Sequence, residues 1–483
     1  MGQEIELKLE VPEDAARRIE AAGLFHGKPR RVRQHATYFD TPDLALRRSG
    51  MSLRIRKEGA RLVQTVKTGG GGIGLFERGE WERDIADEMP VLDEEAVLPL
   101  LPGGTAGSIA PLFVVRNDRT ILSGEGEAIE AVLDRGMVVA GDRQAPYCEL
   151  ELEQKGGARA ALFDLARKIG AVVPVRLGLL SKSERGYRLL GPLPVAARAE
   201  AVAVLPSMTV AAAFRAIILA CIRQFRLNEM LILERDDRDA LHQARVALRR
   251  LRSALSLLRA SMADAPYARF SGELRWLTGE LGRARDIDVL ADRLADEELA
   301  QALLRHRRDA YAQVRRALDS PRARMLALDL VEWVSGDGGT ELAGGAGALP
   351  VGDFAVALLD DLRRKVKKRG RHLVDIDDEA RHRLRKSAKK LRYAAEFFAG
   401  LYEGKEERRA KHFLSTLSAL QDDLGALNDL ATLPGLLAEL GLEGQAEALL
   451  PARMRDKEKL LHKAAGAHAA FADAARFWRQ DRD

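Results

Sequence analysis

The sequence predicts a multidomain α+β protein, in which an N-terminal antiparallel β-barrel with a polar interior precedes an all-α bundle with an internal two-fold repeat. Two observations predict the two regions. Short alternating segments separated by glycine and proline fill the chain up to about residue 200, and helical periodicity dominates from about Ser207 onward. A third observation, a motif that occurs once in each half of the helical region, predicts the repeat.

The composition limits the classes of function that the sequence can have. The 77 basic and 72 acidic residues leave a net charge of only +5, so functional electrostatics must come from local segregation of charge. The two cysteines, Cys148 and Cys221, fit no metal-ligand spacing and imply no disulfide framework. The N-terminus has no signal-peptide pattern, and the longest apolar stretch, Val210 to Ile222, is interrupted by Arg215. We therefore expect a cytoplasmic protein without a membrane span.

The length of the chain and its glycine- and proline-containing breaks predict the domain bounds. A chain of 483 residues is long enough for two to four domains of about 100–200 residues. The segment Gly191-Pro192-Leu193-Pro194 ends the first region, and a break at Gly336 to Gly352 divides the second. We predict domains at 1–200 and 205–480, the second with halves at about 205–335 and 352–480.

The opening segment Glu4 to Glu10 alternates charged and apolar residues, as a strand with one ionic face does. Cys148 to Glu153 repeats this alternation with three glutamates. Two helices, Pro12–Ala22 and Ala158–Gly170, accompany the strands. The other predicted strands are His35–Phe39, Ser52–Lys57, Leu62–Lys67, Arg78–Ile85, Leu112–Leu122, Ala128–Val139 and Tyr147–Gln154.

Acid-rich and base-rich strands occur together in this region. Arg54 and Arg56 share a face of one strand, whereas Glu149, Glu151 and Glu153 share a face of another. A half-buried sheet with a solvated ionic face is the simpler explanation of any one strand. A closed barrel with a polar lumen explains both kinds, because the acids would hold Mg²⁺ or Mn²⁺ and the bases an anion. That combination suits a polyphosphate substrate with its metal.

The first 190 residues or so also resemble the CYTH domain, the core of the triphosphate tunnel metalloenzymes. The resemblance begins with Glu4-x-Glu6-x-Lys8, the ExExK signature, and follows the family's order along the chain. It continues through Tyr38-Phe39-Asp40-Thr41, Leu53-Arg54-Ile55-Arg56, Thr65-Val66-Lys67, Arg78-x-Glu80, Arg116 to Arg119, Leu133-Asp134-x-Gly136, Glu149-x-Glu151-x-Glu153 and Leu180-Ser181-Lys182.

The resemblance implies an eight-stranded tunnel that hydrolyses or rearranges triphosphates with a divalent metal. It implies that Glu4 and Glu6, with Glu149 and Glu151 opposite, bind Mg²⁺ or Mn²⁺. Further candidates for this acidic wall are Glu80, Glu130, Asp134 and Glu153. The implied phosphate clamp is Lys8, Arg54, Arg56, Lys67, Arg78, Arg116, Arg119 and Lys182. Glu4, Glu6 and Lys8 are the residues assigned to catalysis, and the general base stays open.

The helical region carries its motif twice. His242-x-x-Arg245-x-x-x-Arg249-Arg250-Leu251-Arg252 aligns without a gap with His382-x-x-Arg385-x-x-x-Lys389-Lys390-Leu391-Arg392. Leu281-Gly282-x-x-Arg285-Asp286 aligns with Leu424-Gly425-x-x-Asn428-Asp429. At about 100° per residue, the positions 0, +3, +7 and +10 of the first motif share one side of a helix. A solvated basic face explains one such stripe, but its duplication favours an anion-binding channel.

These two motif copies resemble the CHAD domain, a helical bundle named for its conserved histidines. The resemblance implies that inorganic polyphosphate binds the basic surface and is not cleaved there. The implied binding residues are His242, Arg245, Arg249, Arg250, Arg252, His382, Arg385, Lys389, Lys390 and Arg392. Nucleic acid is the rival polyanion, although no aromatic residues interleave the stripes for base stacking. Association with polyphosphate granules is expected.

The sequence favours a metal-dependent hydrolase of inorganic triphosphate that also binds inorganic polyphosphate. One alternative is a different triphosphate enzyme in the same tunnel, such as a thiamine triphosphatase, a nucleoside triphosphatase or an adenylate cyclase. The other alternative is a protein without activity that binds polyphosphate or another polyanion.

Overall fold

A computed structural model describes residues 2–25, 28–68, 72–92, 108–123, 127–192, 194–291, 297–336 and 342–479. Its first region contains the strands β1 (Gly2–Glu10), β2 (Arg30–Asp40), β3 (Met51–Glu58), β4 (Arg61–Thr68), β5 (Leu75–Ile85), β6 (Ala110–Ile121), β7 (Ile129–Ala140), β8 (Arg143–Gln154) and β9 (Arg176–Leu177). The helices of this region are α1 (Ala15–Ala21), α2 (Ala45–Arg48), α3 (Ala160–Val172) and α4 (Lys182–Leu190).

The strands form one antiparallel sheet that curls until its two sides meet. Its order is β5-β4-β3-β2-β6-β7-β8-β1-β9, and β5 also pairs with β1. The residues Gly2–Leu7 of β1 pair with β5, whereas Glu6–Glu10 pair with β8. Eight of the described strands thus form a ring, which confirms the predicted fold class for the N-terminal region.

Alternation along the strands separates an apolar outer layer from a charged lumen. In β1, Leu7 and Leu9 are fully buried and lie on the outer face, which α3 covers. Glu6 and Lys8, on the opposite face, line an interior cavity or contact its carboxylates. The ionic face of the first strand therefore points inward, as the barrel hypothesis required.

An aromatic cluster packs helix α4 against the strands of the barrel. Tyr38 stacks on Phe113 at 4.8 Å between ring centroids, and Tyr187 of α4 meets Phe113 edge-on at 5.3 Å. The Tyr187 hydroxyl donates to Asp40 over 2.8 Å. Helix α4 begins in a capping box formed by Ser181 and Glu184, so its first residue, Lys182, projects toward the lumen. This helix was not among the predicted elements.

The second region is helical, as predicted. Among its described residues, no helix is long and apolar enough to cross a membrane. The helices are α5 (Val210–Glu234), α6 (Arg238–Leu257), α7 (Asp264–Glu280), α8 (Gly282–Ala291), α9 (Glu297–Asp319), α10 (Pro321–Ser335), α11 (Val351–Arg369), α12 (Asp378–Phe398), α13 (Lys405–Glu439) and α14 (Glu443–Asp473).

The repeat places α6 and α12 in equivalent positions. Asp237 caps α6 and Asp377 caps α12, each accepting from the amide three residues on. The two helices are joined by reciprocal contacts. Arg250 of α6 pairs with Glu396 of α12, and Lys390 of α12 donates to the carbonyl of Ser256 on α6 over 3.0 Å. Both partners are offset by the same 140 residues, since 390 − 250 and 396 − 256 are equal, as a pseudo-two-fold axis requires.

Helix α10 belongs to the first compact unit, although it lies within the sequence of the second. Residues 1–195 and 319–336 form one unit, and residues 196–318 and 337–483 form the other. Arg167 of α3 donates to Asp329 of α10 over 2.9 Å and also pairs with Glu332. Arg176 pairs with Asp319 over 2.6 Å. The domain bounds of 1–200 and 205–480 stay a prediction.

We expect Gly186→Ala to destabilise the first unit by about 1–3 kcal/mol, because the helix α4 has no room for a methyl group there. A Cβ at Gly186 would lie 2.1 Å from the Phe113 ring. Gly272→Ala is the matched helical control, since a Cβ there meets nothing within 4 Å, and it should stabilise by about 0.5–1 kcal/mol. Urea unfolding of both variants measures the free energy of unfolding. Equal changes in the two variants would contradict the tight packing of α4 against Phe113.

Candidate functional site

The barrel encloses a cavity of about 290 Å³ whose walls are almost entirely polar. Basic residues come from β1, β3, β4, β6 and α4, and acidic residues from β1, β5, β7 and β8. We call it the tunnel cavity. Its lining is Glu6, Lys8, Tyr38, Ser52, Arg54, Arg56, Thr65, Lys67, Glu80, Glu82, Arg119, Glu130, Val132, Glu151, Glu153, Lys155, Ser181, Lys182 and Ser183.

Two buried lysines meet a group of carboxylates at one wall of the cavity. Lys8 Nζ lies 2.7 Å from Glu151 Oε1 and 3.3 Å from Glu149 Oε1. Lys182 Nζ lies 2.6 Å from Glu149 Oε1 and 2.8 Å from Asp134 Oδ2. Burial alone would lower the pKa of Lys182, but the surrounding carboxylates raise it well above its ordinary value. Lys8 shifts upward for the same reasons, so both amines are cations in this arrangement.

Asp134 orients a third cation. Its carboxylate accepts two hydrogen bonds from Arg119, Nε to Oδ1 at 2.9 Å and Nη2 to Oδ2 at 2.7 Å. Asn117 Nδ2 donates to the same Oδ1 over 2.8 Å, and Asn117 Oδ1 accepts from the Tyr147 hydroxyl over 3.0 Å. Arg119 also reaches Glu151 at 3.1 Å. Such a bidentate pair fixes the direction of the guanidinium.

The opposite wall is the more basic one. Arg54, Arg56 and Lys67 line it from adjacent strands β3 and β4. Lys67 pairs with Glu80 at 3.2 Å, and Arg56 lies 3.6 Å from Glu82. The buried Nε atoms of Arg54 and Arg56 have no hydrogen-bond partner among the described residues. These guanidinium groups therefore retain donors for an anion in the cavity.

Three carboxylates lie close enough to share a metal ion. Asp134, Glu149 and Glu151 each offer an oxygen within 4.8 Å of the others. Glu149 is completely buried, yet its Oε2 accepts no hydrogen bond from any described residue. An unsatisfied buried oxygen in an all-carboxylate donor set fits a hard divalent cation. The residues present therefore suit the implied metal.

The predicted residues divide into three groups. Most of them line the cavity or, as with Asp134 and Glu149, contact its walls. The side chains of Glu4 and Arg78 lie outside the described residues, although their backbones pair in adjacent strands. Arg116 is exposed and does not line the tunnel cavity, whereas Arg119 does. The odd spacing between the two puts them on opposite faces of β6.

Sequence reasoning did not assign Glu82, Thr65 or Tyr38 to the site. Thr65 donates to Glu82 over 2.9 Å, and all three line the cavity. The alternation Glu80-Trp81-Glu82 was a usable signal, because residues two apart on a strand share a face.

The two basic stripes of the helical unit face a second cavity of about 930 Å³. We call it the central cleft. It is lined by side chains of α6, α8, α12 and α13. The charged and polar members are His242, Arg245, Arg249, Arg285, Asp286, Arg385, Lys389, Asn428, Asp429, Thr432 and Glu439. The motif copies thus contribute to one shared surface.

The glycines of the second motif let the arginines of the first pass close to the backbone. A Cβ at Gly282 would lie 3.1 Å from Arg245 Nη1, and one at Gly425 would lie 3.7 Å from Arg385 Nη2. Arg245 then donates to the carbonyl of Thr278 over 3.1 Å. His382, which does not line the cleft, has its Nδ1 at 2.8 Å from Asn428 Oδ1.

Like charges crowd the central cleft. Burial and the neighbours Arg385 and Arg249 lower the pKa of Lys389 to about 7. Burial, Arg285 and Arg249 lower the pKa of His242 to about 4. Burial is the main cause that lowers the pKa of Arg245 to about 10. A site that depresses the pKa values of its bases in this way is stabilised by an anion.

Not every basic residue of the predicted stripes faces the cleft. Arg250 and Lys390 form the reciprocal contacts between α6 and α12, and the Arg250 guanidinium lies 4.8 Å from the centre of the Phe397 ring. Neither residue lines the cleft and each has a partner in the helix packing, so the structure does not bring these two predicted polyphosphate-binding residues together with the others. Arg392 lies 3.6 Å from Glu396, and Arg252 lines a neighbouring groove.

Comparison with known families agrees with this architecture. The model of the CYTH domain matches residues 2–187, and that of the CHAD domain matches residues 216–438. The chain contains a CYTH domain followed by a CHAD domain. The tunnel cavity thus belongs to the CYTH domain and the central cleft to the CHAD domain.

Individual proteins are similar to parts of this chain. An inorganic triphosphatase of Haemophilus influenzae is 32% identical over 203 residues, which are 39% of this chain and 55% of that protein. The chain thus spans about half the length of this relative. An uncharacterised Mycobacterium tuberculosis protein is 27% identical over 398 residues, 74% of this chain and 75% of the other. The crystal structure of the CHAD domain from Ricinus communis is 32% identical, covering 58% of this chain and 98% of that one with a TM-score of 0.49.

Removing Lys182 should destabilise the CYTH domain far more than removing Lys155. Lys182 compensates three buried carboxylates, and the loss of one partner from a buried ionic group costs about 3–5 kcal/mol. Lys155, whose pair with Glu153 is partly exposed, should contribute less than about 1 kcal/mol. Chemical denaturation of Lys182→Met and Lys155→Met measures both, and comparable losses would contradict the buried network.

Proposed function

We propose that the CYTH domain hydrolyses inorganic triphosphate with Mg²⁺ or Mn²⁺. The observation that carries this proposal is the tunnel cavity itself, where cationic side chains and carboxylates together line the walls of one small volume. A triphosphate needs cations for its oxygens, and carboxylates are the natural ligands of its metal. Few other small substrates need both.

In this proposal Arg54, Arg56 and Lys67 bind the substrate from one wall, and Arg119 and Lys182 from the other. Their charges stabilise the phosphoryl oxygens as negative charge moves to the leaving phosphate. Asp134 holds Arg119 and Lys182 in place by direct hydrogen bonds, so the clamp is oriented before substrate enters. Lys8, with its raised pKa, acts as a counter-charge.

The carboxylates of Glu149 and Glu151 would hold the metal, together with Glu6 and Glu4 from the first strand. When bound, a divalent cation lowers the pKa of a coordinated water and offsets substrate charge. Glu151 contacts both Lys8 and Lys182, so a carboxylate that would hold the metal also positions these two amines.

Inorganic triphosphate is favoured over an organic triphosphate by the lining. Tyr38 and Val132 are the aromatic and aliphatic residues among the described lining side chains, which offers little surface for a base or thiazole ring. The similarity to the Haemophilus influenzae triphosphatase supports the same substrate. A thiamine triphosphatase, a nucleoside triphosphatase or an adenylate cyclase is the alternative tested below.

Arg119→Ala should lower kcat/KM for tripolyphosphate by about 10²–10³-fold, because it removes a positioned cation. Arg116→Ala is the matched control, since Arg116 is exposed on the other face of the same strand, and it should change the rate less than twofold. Phosphate release is measured with Mg²⁺, Mn²⁺ or EDTA. Faster turnover of ATP or thiamine triphosphate, or cyclic AMP as product, would favour the alternative enzymes. No turnover of any substrate would leave a binding protein.

We further propose that the CHAD domain binds inorganic polyphosphate in the central cleft. Arg245 and Arg249 of one repeat and Arg385 and Lys389 of the other face the same space. The buried Nε atoms of all three arginines have no hydrogen-bond partner among the described residues. A flexible linear polyanion can satisfy donors that converge from two repeats, and counterion release would add to its affinity.

Polyphosphate binding should weaken as the pH rises above about 7. Lys389 titrates near pH 7 in the free cleft, and a bound anion would raise its pKa. Binding then takes up a proton, so affinity falls by up to about tenfold per pH unit between the free and bound pKa values. Lys389→Arg should remove this dependence because arginine stays charged. Titrations at pH 6–9 test this, and an unchanged profile in the variant would contradict the role of Lys389.

A further inference from the structure

The CHAD domain is less symmetric in charge than in fold. The Leu-Gly motifs at Leu281 and Leu424 differ by 143 residues, so Arg275 corresponds to 275 + 143, which is Ser418. In the same way Arg283 corresponds to 283 + 143, which is Ala426. The first repeat thus carries two arginines where the second carries small residues.

A third difference also gives the first repeat more net positive charge than the second. Arg252 and Arg392 are equivalent in the two stripes, but Arg392 has Glu396 at 3.6 Å. The residue equivalent to Glu396 in the first repeat is 396 − 140, which is Ser256. Among the described residues, Arg252 has no carboxylate within 4.0 Å. The charge of Arg252 therefore remains uncompensated.

These three arginines line one groove beside the central cleft, and we call it the side groove. It has a volume of about 470 Å³ and is lined by residues of α6, α7 and α8 and by the end of α13. Arg245, Asp286, Leu436 and Glu439 line both cavities, so the side groove continues the cleft. The acidic residues of the side groove are the shared Asp286 and Glu439, which lie at this junction.

Like charges are close together in the side groove. Burial and the proximity of Arg275 lower the pKa of Arg252. Neither Arg275 nor Arg283 has a carboxylate within 4.0 Å in the part of the chain that the structure describes. From Arg245 to Arg252 the helix α6 rises about 10 Å, so an anion that spans both must be a chain of several phosphates.

We propose that polyphosphate binds the CHAD domain asymmetrically and extends from the central cleft into the side groove of the first repeat. Arg252, Arg275 and Arg283 form a second subsite there, which only chains longer than the cleft can reach. The second repeat has no equivalent subsite, because Ser418 and Ala426 replace the two outer arginines. This inference rests on the proposed binding of polyphosphate in the cleft.

The test compares chain lengths. Arg275→Ser with Arg283→Ala gives the first repeat the residues of the second. Wild-type protein and this variant are titrated with tripolyphosphate and with polyphosphate of about ten times that length. For the long chain we expect about tenfold weaker binding and a salt dependence reduced by roughly 1.5 in log–log slope, from two lost contacts. For the short chain, which the cleft alone accommodates, affinity should change less than twofold.

The control variant removes the same charge elsewhere. Arg364 and Lys368 are exposed on α11 and line neither cavity, so Arg364→Ser with Lys368→Ala should leave the affinity for long chains within twofold of wild type. Equal losses in the two double variants, or equal losses for both chain lengths, would overturn the second subsite. Unchanged binding of long chains by Arg275→Ser/Arg283→Ala would overturn it too. Failure of the wild type to bind any polyphosphate would instead refute the proposed function, and the subsite with it.

Discussion

The CYTH domain depends on charge compensation inside a closed ring of strands. Every second residue of a strand points inward, so the barrel places lysine, arginine, aspartate and glutamate side chains close together in one interior space. A buried charge without a partner is costly, and the observed solution is a shared network in which Lys8 and Lys182 lie among Asp134, Glu149 and Glu151. Lys8, Lys182 and Glu151 of this network also line the tunnel cavity.

The central cleft of the CHAD domain differs from the tunnel cavity in its balance of charge. The cleft gathers cations with few acids; burial and neighbouring cations lower the pKa of Lys389 and His242, and burial lowers that of Arg245. Compact packing of the repeats is preserved because two cations, Arg250 and Lys390, are used for reciprocal contacts between α6 and α12. The CYTH domain thus carries its own counter-charges, whereas the cations that line the central cleft of the CHAD domain outnumber its carboxylates.

Much of this could be predicted from the sequence, because alternation and helical spacing constrain which residues share a face. The inward direction of Glu6, Lys8, Arg54 and Glu151 follows from a period of two. Arg116 could not be separated from Arg119 without the strand register, which decides which parity faces the lumen. Arg250 illustrates the limit for helices: it is adjacent to the stripe, and only the position of α12 reveals that this side of α6 is covered. Helix α4 is only nine residues long, and its start is marked in the sequence by the capping box Ser181-x-x-Glu184.

Helix α10 has a consequence for the covalent topology of the chain. Because residues 319–336 belong to the first compact unit, the polypeptide crosses between the two units three times, after Val195, Leu318 and Gly336. A single cut in the segment near residue 195 would leave the barrel held by the contacts of α10 with α3, among them Arg167 with Asp329. The sequence segments of the two units are therefore interleaved along the chain. A recombination event that moved the barrel as one uninterrupted stretch of sequence would leave behind the helix that covers part of its surface.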